Sequence, residues 1–209
     1  MSGNTDYTHN EFEREKRDSR TWMRETPPVR PVIGELLLGA NDMIVELGSA
    51  NSSLTLSIAR LLKNRQGIGE IIACDFSRSR VRWIAREAAT VGVEDHLDVC
   101  CLSDAPPGTL PFDDAVVNIV LSVNMIQYLS EPSLYLQEIS RVLAPCGTLL
   151  VADWDSSRSA NGETPQQKKI EPEQLHSMLD AAGLDANRRI DLAGYNWAFL
   201  AVKPVLLTI

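Results

Sequence analysis

Three acids occupy comparable places in the chain: Glu46, Asp75 and Asp104 each fall at or just beyond the end of a short apolar run. The runs are MIVEL (43–47), EIIACD (70–75) and LDVCCL (97–102). A carboxylate ending the second run suits a ribose, because it can accept hydrogen bonds from both the 2′- and 3′-hydroxyls. The plain alternative for Asp75 is an acid at a helix N-terminus, favoured there by the helix dipole. The stretch Gly48-Ser49-Ala50-Asn51-Ser52-Ser53 consists of small residues, which let a ligand approach the backbone. It fails the G-x-G-x-x-G pattern and has no P-loop lysine, which weakens the case for an NAD(P)-linked oxidoreductase or a phosphate-transferring enzyme. Further polar residues stand at the ends of the same and later runs: Ser103 beside Asp104, Asn124, and Asp153 with Trp154.

The elements that must carry these residues follow from periodicity. Residues 1–28 form a polar lead, expected to be one helix ending before Pro27-Pro28, and residues 29–38 a short helix stopped by Gly39. Leu54, Ile58, Leu61 and Leu62 keep helical spacing, with Ser52 or Ser53 as the N-cap; Ser77 caps a helix carrying Val81, Ile84 and Ala85. The β-branched run 116–123 is a fourth strand. Leu134, Ile139 and Val142 mark a helix stopped at Pro145-Cys146-Gly147, and 148–154 is a fifth strand. A polar loop over 155–167, a helix over 174–182 ended by Gly183, and a hairpin of 189–192 with 197–202 complete the chain. Strands alternating with helices predict an α/β, doubly wound, Rossmann-like and mostly parallel sheet of seven strands, with an antiparallel C-terminal hairpin strand. The expected organisation is a lead or lid segment over 1–40 and one domain over 41–209. In such a sheet, ligands bind at the carboxyl ends of the strands, where the strand order reverses.

Composition narrows the chemistry. The 209 residues include 28 acids and 20 lysines and arginines, for a net charge of −8 with the signs interspersed, which argues against nucleic acid as partner. No apolar stretch reaches the roughly 20 residues that span a bilayer, and the polar N-terminus is not a secretory signal, so neither a membrane nor export is expected. Cys74, Cys100, Cys101 and Cys146 show no metal-ligand spacing, so buried, reduced thiols, a cytoplasmic setting and no metal site are expected. His9, His96 and His176 are scattered and read as surface histidines, leaving no convincing general base. Composition does not decide between a monomer and a homodimer.

Beyond these patterns, the sequence resembles class I S-adenosylmethionine-dependent methyltransferases. MIVELGSANSSLTLSIAR resembles their first motif, and CDFSRSRVRWIAREA the segment after their second strand. LSDAPPGTLPFDDAVVNIVLSVNMIQYLSEPSLYLQEISRVLAPCGTLLVADW is similar to their third-to-fifth strand region, with Leu110-Pro-Phe, Arg141-Val-Leu and Pro145-Cys-Gly in family order. The likeness covers 42–154 and is strongest to the quinone-methyltransferase-like group acting on small molecules.

The resemblance implies S-adenosylmethionine (AdoMet) as cofactor and a small-molecule methyl acceptor. It implies that Glu46 and the backbone of Gly48, Ser49 and Ala50 hold the methionine portion, and that Asp75 holds the ribose with Phe76 lining the adenine. Asp104 and the Ala105 amide, beside Ser103, would read the adenine edge, and Asn124 would lie near the methyl group. Arg80 stands where a methionine commonly packs on the adenine; a guanidinium can stack there instead. Ala50 and Ser52 replace two loop glycines, Asn118 an aspartate, and Gln127 a histidine that can act on substrate. An acceptor pocket would draw on Gln127, Tyr128, Asp153 and Trp154, with Trp22 brought by the lead segment as a lid. The departures keep open a catalytically silent binding or partner protein of the same fold; the oxidoreductase is the weakest of the three readings.

Overall fold

The apolar runs become the middle of one seven-stranded sheet. In the computed structural model, which describes residues 29–49, 52–106, 108–126, 129–154, 170–192 and 196–205 (of 154, 187, 196 and 197 the backbone alone), the strands are β1 (Met43–Leu47), β2 (Glu70–Asp75), β3 (Leu97–Cys101), β4 (Val117–Val123), β5 (Leu143–Trp154), β6 (Asp185–Leu192) and β7 (Asn196–Val202). Their order across the sheet is β3-β2-β1-β4-β5-β7-β6. The first five run parallel; β7 is antiparallel to both β5 and β6. This is the expected fold class, with the C-terminal hairpin folded so that its second strand enters the sheet first.

Burial on both faces explains why the central strands read as continuous apolar runs instead of alternating ones. Val45, Leu47, Ile72 and Cys74 face α4 (Pro132–Val142) and α5 (Pro172–Ala181), joining Leu136, Ile139, Leu175 and Leu179 in one core layer. Ile44, Ile71 and Ala73 point the other way, toward α2 (Ser53–Asn64) and α3 (Arg78–Val91), with Ile58, Leu62, Ile84 and Ala88. Every second strand residue thus feeds one layer.

Local signals act mostly as expected. The Ser77 hydroxyl accepts from the Arg80 amide at 3.4 Å and starts α3, and Gly92, in the left-handed region at φ 68°, ends it. Proline in the first turn starts both α4 and α5. Four details differ. The first described helix, α1 (Val29–Gly34), stops short, yet Leu36 and Leu38 beyond it are still buried beside α2. Ser52 occupies the cap position of α2 in a left-handed conformation (φ 53°) with no side-chain cap bond, so its hydroxyl does not play the expected part. Pro145-Cys146-Gly147 does not separate α4 from its strand: β5 begins at Leu143, directly after the helix, and spends residues 143–148 on the interval that β4 covers with 117–119. The irregularity absorbs the turn residues, with Cys146 at φ 62° and exposed to solvent. Of the four thiols only Cys74 is buried; Cys100 and Cys101 are half-buried.

Two family-like motifs far apart in sequence are joined by one guanidinium. Arg141, in the last turn of α4, donates to Glu138 from Nε and an Nη (both 2.8 Å), to the Phe112 and Leu110 carbonyls (2.9 and 3.0 Å), and to Asp114 (2.6 Å). Glu138 also accepts the Leu110 amide at 2.9 Å, and Arg141 holds its carboxyl below the usual carboxylate range. The cluster fastens the loop entering β4 to the helix preceding β5. A lysine cannot reproduce this planar fork. Arg141→Lys is expected to lower stability by about 2 kcal/mol, a value reduced for partial solvent exposure. The check is a lower denaturant midpoint with an unchanged m value.

Candidate functional site

The order reverses at β1, which lies between β2 on one side and β4 on the other. Their carboxyl ends carry six of the predicted residues: Glu46, Gly48, Ser49, Asp75, Phe76 and Asn124. Glu46, the penultimate residue of β1, is only 6% exposed, and its carboxylate accepts a hydrogen bond from the Thr55 hydroxyl of α2. Burial pushes its pKa from 4.5 up to about 7; the Thr55 and Ser49 hydroxyls pull it back down, while the nearby charge of Asp75 adds to the rise. Asp75 ends β2 and is 4% exposed. One of its oxygens accepts the Ser77 amide at 2.8 Å, and the Arg80 guanidinium lies 3.5 Å from the other.

The chain between these acids is held closely. Gly48 and Ser49 both donate their amides to the Cys74 carbonyl, at 2.8 and 3.3 Å, and the Ser49 hydroxyl donates to the Glu46 carbonyl at 3.0 Å. Gly48 sits at φ 81°, and a Cβ there would lie 3.1 Å from that of Met125. Glycine is favoured on both counts, conformation and space. Asn124, also left-handed (φ 54°), is tied to β5 by its amide, which donates to the Ala152 carbonyl at 2.7 Å.

The tip of β3 is bonded to the tip of β2. The Ser103 hydroxyl and the Cys101 thiol donate to the Phe76 carbonyl, and Asp104 is gripped by the guanidinium of Arg78, one contact being 3.1 Å. Asp104 therefore meets any ligand already paired. The Ala105 amide, expected to face a ligand, donates to the Leu102 carbonyl at 3.2 Å. The Phe76 ring is 41% exposed and meets Tyr135 of α4 edge to face at 6.2 Å. Asp153 is buried near the end of β5, and Trp154 follows it in the strand opposite Asn196. Ala50, Gln127, Tyr128, Trp22, the rest of the lead segment and the 155–167 loop lie outside the described residues.

Thr55, Met125, Arg78 and Tyr135 are parts of this region that sequence reasoning did not find. Thr55 alone offered a signal, a hydroxyl among the apolar positions of α2. The others depend on pairings such as Arg78 with Asp104, 26 residues apart. His96 contacts the Gly69 carbonyl at the opposite, amino end of the strands, and His176 pairs with Asp180 on α5. Neither is at the tips. Among the described residues no group of three or more His, Cys, Asp or Glu could hold a metal ion, and no helix is long and apolar enough to cross a membrane. Two buried acids beside a close-approach glycine turn can receive a ligand that pairs a cation with neighbouring hydroxyls.

The chain matches the family described as Methyltransferase domain over residues 45–151. It is 30% identical over 122 residues to YrhH of Bacillus subtilis, named as a methyltransferase, covering 58% of this chain and 62% of that protein's length. A SAM-dependent methyltransferase from Aquifex aeolicus superposes with a TM-score of 0.74 at 19% identity, over 91% of this chain and 97% of that one. The Haloferax volcanii chain solved with the Trm112 methyltransferase activator gives 0.72 at 20% identity, over 96% and 99%. These structural likenesses are likenesses of fold.

Proposed function

Since this chain belongs to the Methyltransferase domain family, we propose that it binds AdoMet across the tips of β1, β2 and β3 and transfers a methyl group to a small-molecule acceptor. The observation carrying this reading is the pair of buried acids at neighbouring strand ends, Glu46 beside the glycine turn and Asp75 close enough for its charge to raise the proton affinity of Glu46. They fit the cofactor's two polar ends. Glu46, with the backbone of the loop starting at Gly48, offers negative charge to an ammonium, and Asp75 offers acceptors to a ribose diol. Phe76, partly exposed and packed edge to face with Tyr135, offers an aromatic platform for a base. Ser103 and Asp104 border the same platform, and Arg80, through Asp75, would steady the sugar side.

The bound cofactor would supply an activated methyl on a sulfonium whose leaving group is neutral. What the protein must then do is align and exclude water, and proximity and orientation can supply most of the acceleration. Asn124, whose amide is held by β5, is assigned to the reacting end, and Asp153, buried near the end of β5, to the acceptor side. Trp154, Gln127, Tyr128 and Trp22 complete the proposed acceptor pocket. An acceptor that is already deprotonated, or that ionises readily, needs no protein base.

A second reading, a non-catalytic binding subunit of the same fold, draws on Ser52, whose left-handed conformation places a side chain where the family loop has glycine. Titration calorimetry with AdoMet, S-adenosylhomocysteine and NADPH separates the alternatives. Binding of the first two at roughly micromolar levels, with no response to NADPH, is the expected result. Absence of binding to both sulfur nucleosides removes the enzyme reading.

A further inference from the structure

We propose that Cys74 and Cys100 form a reversible redox site, closed to a disulfide by a hydroperoxide, that disables the cleft at the tip of β2. Four observations converge on the pair. Cys74 of β2 and Cys100 of β3 are direct register partners in adjacent parallel strands. Such strands run about 4.7–4.9 Å apart, inside the roughly 4.4–6.8 Å between α-carbons that a disulfide spans. Both side chains face the same core layer, Cys74 within it and Cys100 packed against its rim. And β3 is the outermost strand of its side of the sheet, paired along one edge alone.

The two thiols are also chemically unequal. Cys74 is fully buried, with its thiol turned toward Cys100 and toward the Ile72 carbonyl at 3.8 Å, whereas Cys100 is half-buried. The hydrogen bond between them holds the Cys100 thiol below its usual range against the opposing effect of burial, and the Cys74 thiol well above its own. Cys100 is therefore the attacking thiolate and Cys74 the resolving thiol. Cys100 sulfur attacks one oxygen of hydrogen peroxide, the O–O bond breaks, and hydroxide leaves, giving a sulfenic acid. The Cys74 sulfur then attacks the Cys100 sulfur, the S–O bond breaks, and the oxygen leaves as water. Two thiols and one peroxide become one disulfide and two waters. Cys101, next along β3, points to the other face and is bonded to the Phe76 carbonyl.

Closure reaches the cleft through the backbone. The Cys74 carbonyl holds the amides of Gly48 and Ser49, and the next residue is Asp75. Pulling Cys74 toward β3 loosens the glycine turn and turns the Asp75 carboxylate. This consequence rests on the proposed cofactor reading; the bond does not.

The full chain is treated with hydrogen peroxide, its remaining thiols are alkylated in denaturant, and the products are mapped by mass spectrometry. Expected is a cross-link between the peptide holding Cys74 and that holding Cys100, which persists in Cys101→Ser and disappears in Cys100→Ser. AdoMet affinity is expected to fall at least tenfold on oxidation, to recover with dithiothreitol, and to resist peroxide in Cys100→Ser. A cross-link surviving in Cys100→Ser, or Cys74 still alkylated while Cys100 has gone to the sulfinic acid, overturns the site. A complete cross-link with unchanged affinity overturns its effect on the cleft. A reduced protein that does not bind AdoMet overturns the cofactor reading, and the mass data decide the bond separately.

Discussion

Replacing Asp75 by alanine weakens AdoMet binding by at least about 100-fold, the largest loss expected from any single substitution at the tips. Two hydrogen bonds from a sugar diol to one carboxylate are charge-assisted, each worth about 1.5–3 kcal/mol when both partners are desolvated. Asp75 is 4% exposed, so water cannot take over the vacated role. Part of the loss would be indirect, because the same carboxylate accepts the Ser77 amide that opens α3 and lies beside Arg80. Asp75→Asn separates the contributions. It keeps an oxygen for Ser77 but removes the charge and one acceptor, and an intermediate loss of about tenfold is expected. Calorimetry of both variants, with melting temperatures to confirm folding, makes the measurement. Wild-type affinity in a folded Asp75→Ala protein would remove the ribose assignment.

The second large effect is a pH dependence with opposite signs for binding and for stability. Glu46 titrates near 7 in the folded protein, against 4.5 for an ordinary glutamate. A ligand ammonium favours the ionised form, so binding strengthens as pH rises. About a tenth of Glu46 is ionised at pH 6 and about nine-tenths at pH 8, which predicts a roughly tenfold gain in affinity across that interval. The ligand's own amine also titrates, and Glu46→Gln isolates the protein's share: its affinity should be lower at pH 8 and lack the tenfold rise.

Stability runs the other way. The folded state binds this proton more tightly than the unfolded chain, so the group's contribution is fully present below about pH 4.5 and is lost as pH climbs through 7. The difference amounts to about 3 kcal/mol by pH 8. Ligand-free Glu46→Gln should therefore melt above the wild type at pH 8, with the gap closing toward pH 5. A constant gap over that range would show that Glu46 titrates normally.

How much of this was legible in the sequence differs between elements for identifiable reasons. The strands from β1 to β4 were readable because burial on both faces writes itself as unbroken Val, Ile and Leu runs, and Ser77 was readable as a cap because capping is local. Pro145-Cys146-Gly147 looked like a stop and is an irregularity within β5, because pairing to β4 outweighs turn chemistry there. The acids at the strand ends could be placed by the fold class alone. Their partners could not: Asp104 with Arg78, Phe76 with Tyr135 and Arg141 with the 110–114 loop are set by side chains meeting across tens of residues. Glu46 shows the same limit, since its position was evident but its proton affinity depends on Thr55 and on burial depth.

The entry of β7 between β5 and β6 bears on how the molecule is made. The strands carrying the acids are all translated by Trp154, but the one that seals the outer edge of β5 ends only at Val202. At roughly 5–20 residues per second, that leaves an interval of several seconds on the ribosome. During it the 149–151 stretch of β5, fully buried in the finished protein, offers open backbone donors and acceptors to any extended chain nearby. A nascent polypeptide stalled in that interval would carry the completed tips and an unprotected edge together, so premature termination there should yield aggregates and not a smaller folded protein.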